Sequence, residues 1–410
     1  MCPIKTHALF KSKKAALIME RMRIHLQSFS QPVDQKHLDV LDGFRAIFVF
    51  LVGWYHIWQQ GWLSPTLYIG GRVISLDFLL RSGYIWVDGL MLLSGFLLYL
   101  PFANAKGSLQ KPLTFYKNRL IRILPSYLLC ILFFFVLALA EHKYISAVDA
   151  AKDLLAHLTF THTLFPFSYQ QTPLNGVLWT LGVEMQFYVL FPLLGRLFRK
   201  KPVLTWGVMT AIAFAYRYAA STLSDNSLYI NQLPAFLDVY ANGFLAASIF
   251  SGMHRKMGKD GPDSKTKLFF TVIFVLCACL IVSILKEQAG LNGYDRIRLG
   301  QLQQRFPFTI LLAVAMIAAA FSLPALRFLL GNRLMAFLSA ISLQFYIWHQ
   351  FLAVRIKEWN FIPHQTDTPW MMGEYAWQVK YIFICFLAAI LLAGLITHLF
   401  EKPIARKLRK

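Results

Sequence analysis

Apolar runs of about twenty residues, long enough to cross a bilayer, alternate with polar connections along most of this chain. Ten are read, at roughly 44–62, 84–102, 120–140, 174–195, 203–220, 234–252, 267–286, 306–323, 334–354 and 380–400. The first turns polar at its far end and the fourth contains Glu184, so both rest on their neighbours as much as on hydropathy. Lipid offers backbone groups no water, which favours helices that satisfy those groups internally. The pattern predicts an all-α polytopic membrane protein, a bundle of about ten transmembrane helices. No internal repeat and no appended soluble domain is evident.

Composition agrees. Of 410 residues, 57% are hydrophobic and 15% charged, against roughly 25% charged in average soluble domains. The net charge of +21 would suit a nucleic-acid binder, but its placement argues otherwise. Lys and Arg cluster in the N-terminal stretch (Lys5 to Lys36), after the second, fourth, sixth and eighth runs, and in the C-terminal stretch (Lys402 to Lys410). The intervening connections are longer and carry fewer. The positive-inside rule then puts both termini in the cytoplasm, and an even number of spans agrees. The excess is a topology signal with attraction to anionic headgroups, and no nucleic-acid role is needed.

Residues 1–36 and 402–410 are read as basic cytoplasmic tails around a membrane domain at 37–401. Residues 1–36 contain no apolar segment ahead of a small-residue cleavage site, so the first membrane helix is expected to act as an uncleaved insertion signal. The five cysteines have no metal-ligand spacing, and their odd number argues against a disulfide framework. Cys277 and Cys279 are expected to be buried packing residues on different sides of one helix. No metal site, phosphate loop or nucleophile-elbow serine is evident.

Ionisable residues inside membrane runs are costly and are retained mainly where they line a cavity or do chemistry. Arg45 and His56 lie eleven residues apart in the first run, on one helical face and about 16 Å apart along the axis. Asp88, in the second run, falls at the depth of His56. A carboxylate beside an imidazole would fix its tautomer and raise its basicity, as a general base needs; the alternative is a bond that only ties two helices. Glu184 shares a face with Thr180 and Tyr188, and both a catalytic role and an ion pair, with Arg45 as one partner, are open. Arg119 and Arg122 share a face at the start of the third run. They suit either a phosphorylated ligand from the cytoplasm or lipid phosphates. His349 is read either as a satisfied interfacial histidine or as facing the same cavity as His56. Aromatics in 141–173 and 355–379 are either interfacial anchors or stacking surfaces for a sugar.

Five segments together resemble the membrane acyltransferase-3 family: Leu41-Asp42-Gly43-Phe44-Arg45 through His56, Val87-Asp88 through Phe96, Arg119 through Tyr127, Leu178 through Tyr188, and Tyr346-Ile347-Trp348-His349. The resemblance covers about residues 37–401 in order. Trp179-Thr180 stands where many relatives have Trp-Ser, and Gly89 where relatives often have a bulky apolar residue. The resemblance implies O-acyl transfer from cytoplasmic acyl-CoA, acetyl-CoA by default, to a hydroxyl of an extracytoplasmic glycan or glycolipid. The setting it implies is a bacterial inner membrane, with glycan-assembly proteins as partners. It matches Arg45 and His56 to the family's Arg and His with ten residues between them, and Arg119 and Arg122 to its Arg-x-x-Arg pair; the mechanism expected here has Arg119 and Arg122, with Arg45, on acyl-CoA, and His56 as general base with Asp88 and Glu184 as the accompanying acids. Tyr127, Thr180, Tyr188 and His349 are expected around the cavity, the first three as oxyanion donors to choose from. A hydrolase-like domain follows the membrane part in longer members; here any such partner is expected to be a separate protein. The alternative is a proton-coupled transporter or flippase with His56, Asp88 and Glu184 as a relay; the missing repeat counts against it.

Overall fold

The computed structural model describes residues 39–105, 111–258 and 261–409. The expected N-terminal tail with Cys2, and Lys106, Lys259 and Lys410, lie outside the described residues. The helices are α1 Asp39–Gly61, α2 Trp86–Asn104, α3 Pro112–Ala140, α4 Ala147–Leu158, α5 Trp179–Lys200, α6 Pro202–Ser221 and α7 Leu237–Met257. They continue as α8 Ser264–Ala289, α9 Tyr294–Ala320, α10 Pro324–Gly331, α11 Arg333–Trp359, α12 Tyr375–Ile396 and α13 Lys402–Arg409. One antiparallel hairpin, β1 Thr66–Ile69 and β2 Arg72–Ser75, turns at Gly70 and Gly71. Both glycines have positive φ, as a tight two-residue turn demands.

Nine stretches among the described residues are long and apolar enough to cross a membrane, and α6, expected as the fifth span, is not one of them. Its place in the bundle nevertheless carries the chain from end to end. Arg199 of α5 bonds the Ala105 carbonyl (3.2 Å), and Ser251 and Arg255 of α7 bond that of Ala103 (3.4 and 3.3 Å). Helices α5 and α7 therefore finish at the same end, beside the end of α2, and the chain must return between them. Twenty helical residues reach about 30 Å, enough for α6 to do so. Arg217 of α6 forks onto Asp238 of α7 at 2.8 and 2.6 Å, both side chains buried. A buried fork of this kind needs a charged residue where an apolar one would raise hydropathy, and so hides the span from a composition test.

Two helix starts differ from expectation. Helix α3 begins at Pro112, so Arg119 and Arg122 lie two turns inside it. Helix α9 begins at Tyr294, twelve residues before the expected 306, because its polar first half faces the protein: Gln301 and Arg305 are buried. Cys277 is buried as expected, but Cys279 is exposed on the opposite side of α8.

Close packing fixes the centre of the bundle. A Cβ on Gly243 of α7 would lie 2.6 Å from the Leu92 carbonyl oxygen, and one on Gly95 of α2 would lie 2.8 Å from that of Tyr240. Backbone meets backbone there, and Phe187 stacks on Tyr240 at 3.5 Å behind it. Helix α1 meets α11 across Gly53, where a Cβ would lie 2.4 Å from the Phe345 ring. These contacts set α1, α2, α5 and α11 around a common interior. The Gly243→Ala variant should lose about 1–3 kcal/mol, the usual cost of overpacking a tight contact. Thermal unfolding in detergent checks this, and an unchanged midpoint would show that the helices part freely.

Candidate active site across the bundle

Toward the end where α2, α5 and α7 finish, a cavity of about 130 Å³ is lined by Arg45, Arg119, Arg122, Thr180, Glu184, Tyr188, Ser342 and Tyr346, with Val49 and Val87 among its apolar walls. Five elements supply these groups: α1, α2, α3, α5 and α11. Arg45 reaches Ser339 (3.4 Å), which donates to Asp42 (2.7 Å). Arg119 lies over the rings of Phe115 and Tyr188 at 5.5 and 5.7 Å. Glu184 accepts from Ser94 (2.9 Å) and from Tyr188. Its partners are thus hydroxyls; the ion pair considered with Arg45 does not form among the described residues. Three guanidiniums against one carboxylate leave this cavity positive, suited to an anion with planar oxygen groups.

Toward the other end a larger cavity, about 970 Å³, opens around His56. Tyr55, Trp58, Trp62, Tyr84, Trp179 and Tyr294 give it aromatic walls; Gln59, Gln60, Asn231, Gln288 and Gln301 add amides. Its aromatics come from the ends of α1, α5 and α9 and the turn before α2. The connections at 141–173 and 355–379, considered as sugar-stacking surfaces, contribute none of them. Val87 and Tyr346 line both cavities, so the two lie on either side of these side chains. Arg45 and His56 do share one face of α1, and each opens into a different cavity of the pair.

His56 is half-buried. Its Nδ1 lies 3.0 Å from the Gln59 carbonyl oxygen, while the Gln59 amide nitrogen donates to the Tyr55 hydroxyl (2.9 Å). That orientation places the proton on Nδ1 and leaves Nε2 as an acceptor. The expected bond from Asp88 to His56 does not form among the described residues. Asp88 is buried and instead accepts from Arg305 Nε at 3.1 Å. Arg305, also buried, donates to the Ile230 and Ala235 carbonyls (3.0 and 3.3 Å) and lies 3.9 Å over the Phe236 ring. A buried carboxylate takes the nearest cation in preference to a neutral imidazole.

Two further expectations change. Tyr127 does not line either cavity: it is fully buried, donates to the His157 carbonyl (2.8 Å) and stacks on Phe160. His349 is neither interfacial nor among the lining residues, but buried beneath His56, with ring centroids 5.2 Å apart. Thr180 and Tyr188 do line the first cavity. The residues missed are Gln59 and Arg305. Gln59 was within reach, one helical turn from His56; Arg305 is 217 positions from Asp88 and lay outside the apolar run assigned to its helix.

A profile of the family described as Acyltransferase domain matches residues 38–398. The chain is also 28% identical over 169 residues to O-acetyltransferase OatA of Staphylococcus aureus, from strains NCTC 8325, COL and MRSA252 alike. That stretch is 38% of this chain and 24% of each relative; the match therefore spans about a quarter of the curated relatives. No solved structure matches.

The ion pair generates a stability prediction. Arg305→Met leaves Asp88 buried without its cation and should cost about 3–5 kcal/mol. Adding Asp88→Leu should recover much of that loss. Unfolding midpoints of the two variants in one detergent check it; a double variant no better than the single would break the assigned pairing.

Proposed function

The chain belongs to the Acyltransferase domain family, and we propose that it is an integral membrane O-acyltransferase that moves an acyl group, acetyl in the simplest case, from acyl-CoA to a hydroxyl of a glycan or glycolipid across the bilayer. One observation carries the reading: an arginine-lined cavity and a histidine-bearing cavity are neighbours that share Val87 and Tyr346 in their walls. An anionic donor and a neutral polyhydroxyl acceptor can then approach one point from opposite ends. Aromatic walls with amides suit a sugar, whose apolar faces stack while its hydroxyls bond.

The arginine end is the basic end of the bundle, with Lys117, Arg199, Lys200, Lys201, Lys256, Lys265 and Lys267 around it. We assign it to the cytoplasm on that account, with both ends of the membrane domain on that side and a bacterial inner membrane as the setting. The CoA diphosphate lies against Arg119 and Arg122, with Arg45 deeper, and the thioester reaches the neck at Val87 and Tyr346. His56 Nε2 takes the proton of the acceptor hydroxyl as its oxygen attacks the thioester carbonyl. The carbon–sulfur bond breaks, and the proton on His56 passes to the CoA sulfur. Gln59 holds the tautomer. Tyr188 and Thr180 line the inner cavity, where their hydroxyls donate to Glu184 and to the Val177 carbonyl (3.2 Å) and would have to leave those partners to serve the oxyanion. Asp88 acts at a distance, by fixing α2 against α9 through Arg305. The same pairing disfavours a relay through His56, Asp88 and Glu184, since Asp88 is committed to a cation and Glu184 to two hydroxyls.

The His56→Ala variant should lower acetyl-CoA turnover by about 10²–10⁴-fold, the usual worth of a general base, while remaining folded and inserted. Turnover near the wild-type rate would remove the base assignment. Arg122→Ala should raise the KM for acetyl-CoA about tenfold with little change in kcat, the mark of lost ground-state binding. An unaltered stabilisation of the protein by acetyl-CoA in thermal unfolding would reject the phosphate role.

A further inference from the structure

His349 has no part in the steps above, yet it is fully buried against His56. Its Nδ1 lies 3.1 Å from the Phe345 carbonyl and 2.8 Å from that of Tyr346. Carbonyls only accept, so Nδ1 carries the ring proton and Nε2 is left with a lone pair. That Nε2 is buried without a hydrogen-bond partner among the described residues. An unmet buried acceptor ordinarily destabilises the fold, and a phenyl ring would fill the same space without that cost. The packing is built to bring this ring close. Gly53, one turn before His56 on α1, has no side chain, and a Cβ there would lie 3.7 Å from His349 Cδ2, next to Nε2 in the ring. With Nδ1 anchored to the backbone of α11, the opposite edge of the imidazole faces α1.

We propose that His349 is a positioning residue for His56: the lone-pair edge of its neutral imidazole, held toward α1 by the backbone of α11, stabilises the positive charge that His56 acquires when it takes the acceptor's proton. The Nδ1 position that a carboxylate occupies in other histidine bases is taken by the neutral Gln59 amide, and Asp88 is bonded to Arg305, so His349 supplies the remaining electron-rich edge beside the ring. A neutral dipole stabilises imidazolium without demanding a second buried charge. No bond to His349 forms or breaks, and the proton still travels from the acceptor oxygen to His56 Nε2 and then to sulfur. The inference rests on the reading of His56 as the base.

The test uses full-length protein in inside-out membrane vesicles that keep their own acceptors, with acetyl-CoA turnover read as released thiol and thermal unfolding read in parallel. His349→Phe should unfold at the wild-type temperature or above it, because an unmet acceptor is gone. Its kcat should nevertheless fall about a hundredfold, with the acetyl-CoA KM held within about twofold. His349→Gln can return an acceptor near the position of Nε2 and should stay within about tenfold of the wild type. A His349→Phe enzyme within about threefold of the wild-type kcat would overturn the proposal. So would equal losses in the Phe and Gln variants together with lowered unfolding temperatures, which is the signature of packing alone. If the Phe variant does not insert, His349→Leu takes its place in the same comparison. A wild-type protein that does not turn over acetyl-CoA overturns the acyl-transfer reading and this inference with it; wild-type turnover beside an unaffected Phe variant overturns this inference alone.

Discussion

An ionisable group in the apolar interior of this bundle must either find an opposite charge or face a cavity, because the cost of burying it alone exceeds any single packing gain. The described chain meets that constraint in both ways, and the division organises the molecule. Asp88 with Arg305, and Asp238 with Arg217, are the paired groups. They join α2 to α9 and α6 to α7, and both arginines also bond the Ala235 carbonyl. Arg45, Arg119, Arg122, Glu184 and His56 are the groups that face cavities. The paired set fixes the helices, and the cavity-facing set lines the space open to a ligand.

What could be read from the chain follows the same division. Helical period alone puts Arg45 and His56 on one face, Thr180, Glu184 and Tyr188 on another, and Arg119 with Arg122 on a third, and each set does line a cavity. Short-range geometry is legible because 3.6 residues per turn leaves little freedom. Pairing across the bundle is not. Asp88 and His56 share a depth, but depth does not exclude a third helix, and Arg305 arrives from 217 positions away. Tyr127 sits in a promising segment, yet its rotation on α3 turns the hydroxyl to a carbonyl of the connection rather than to the interior. The apolar run at α6 is legible in the sequence and its helix runs between the ends of α5 and α7, although its buried Arg217 leaves it outside the nine described stretches apolar enough to cross a membrane.

The neck at Val87 and Tyr346 joins these observations to the proposed chemistry. Each cavity alone is ordinary: one is a basic pocket, the other an aromatic one with amides. Their shared wall at two residues is where, in the proposed acyl transfer, donor and acceptor would meet at one carbonyl. The Gly53 contact between α1 and α11 belongs to the same design, since it sets His56, His349 and Tyr346 on one short stretch of interface beside the neck.

Acyl transfer in this bundle requires the donor's reactive end to pass between Val87 and Tyr346 from the arginine side. Its most direct test is a cryo-EM structure of the full-length protein with acetonyl-CoA, a non-hydrolysable analogue of acetyl-CoA. Transfer by this route should show density for the diphosphate at Arg119 and Arg122, an arm running between Val87 and Tyr346, and the ketone carbonyl within hydrogen-bond reach of the space beside His56 Nε2. Density that leaves the neck empty, with the analogue held elsewhere on the protein, would contradict it.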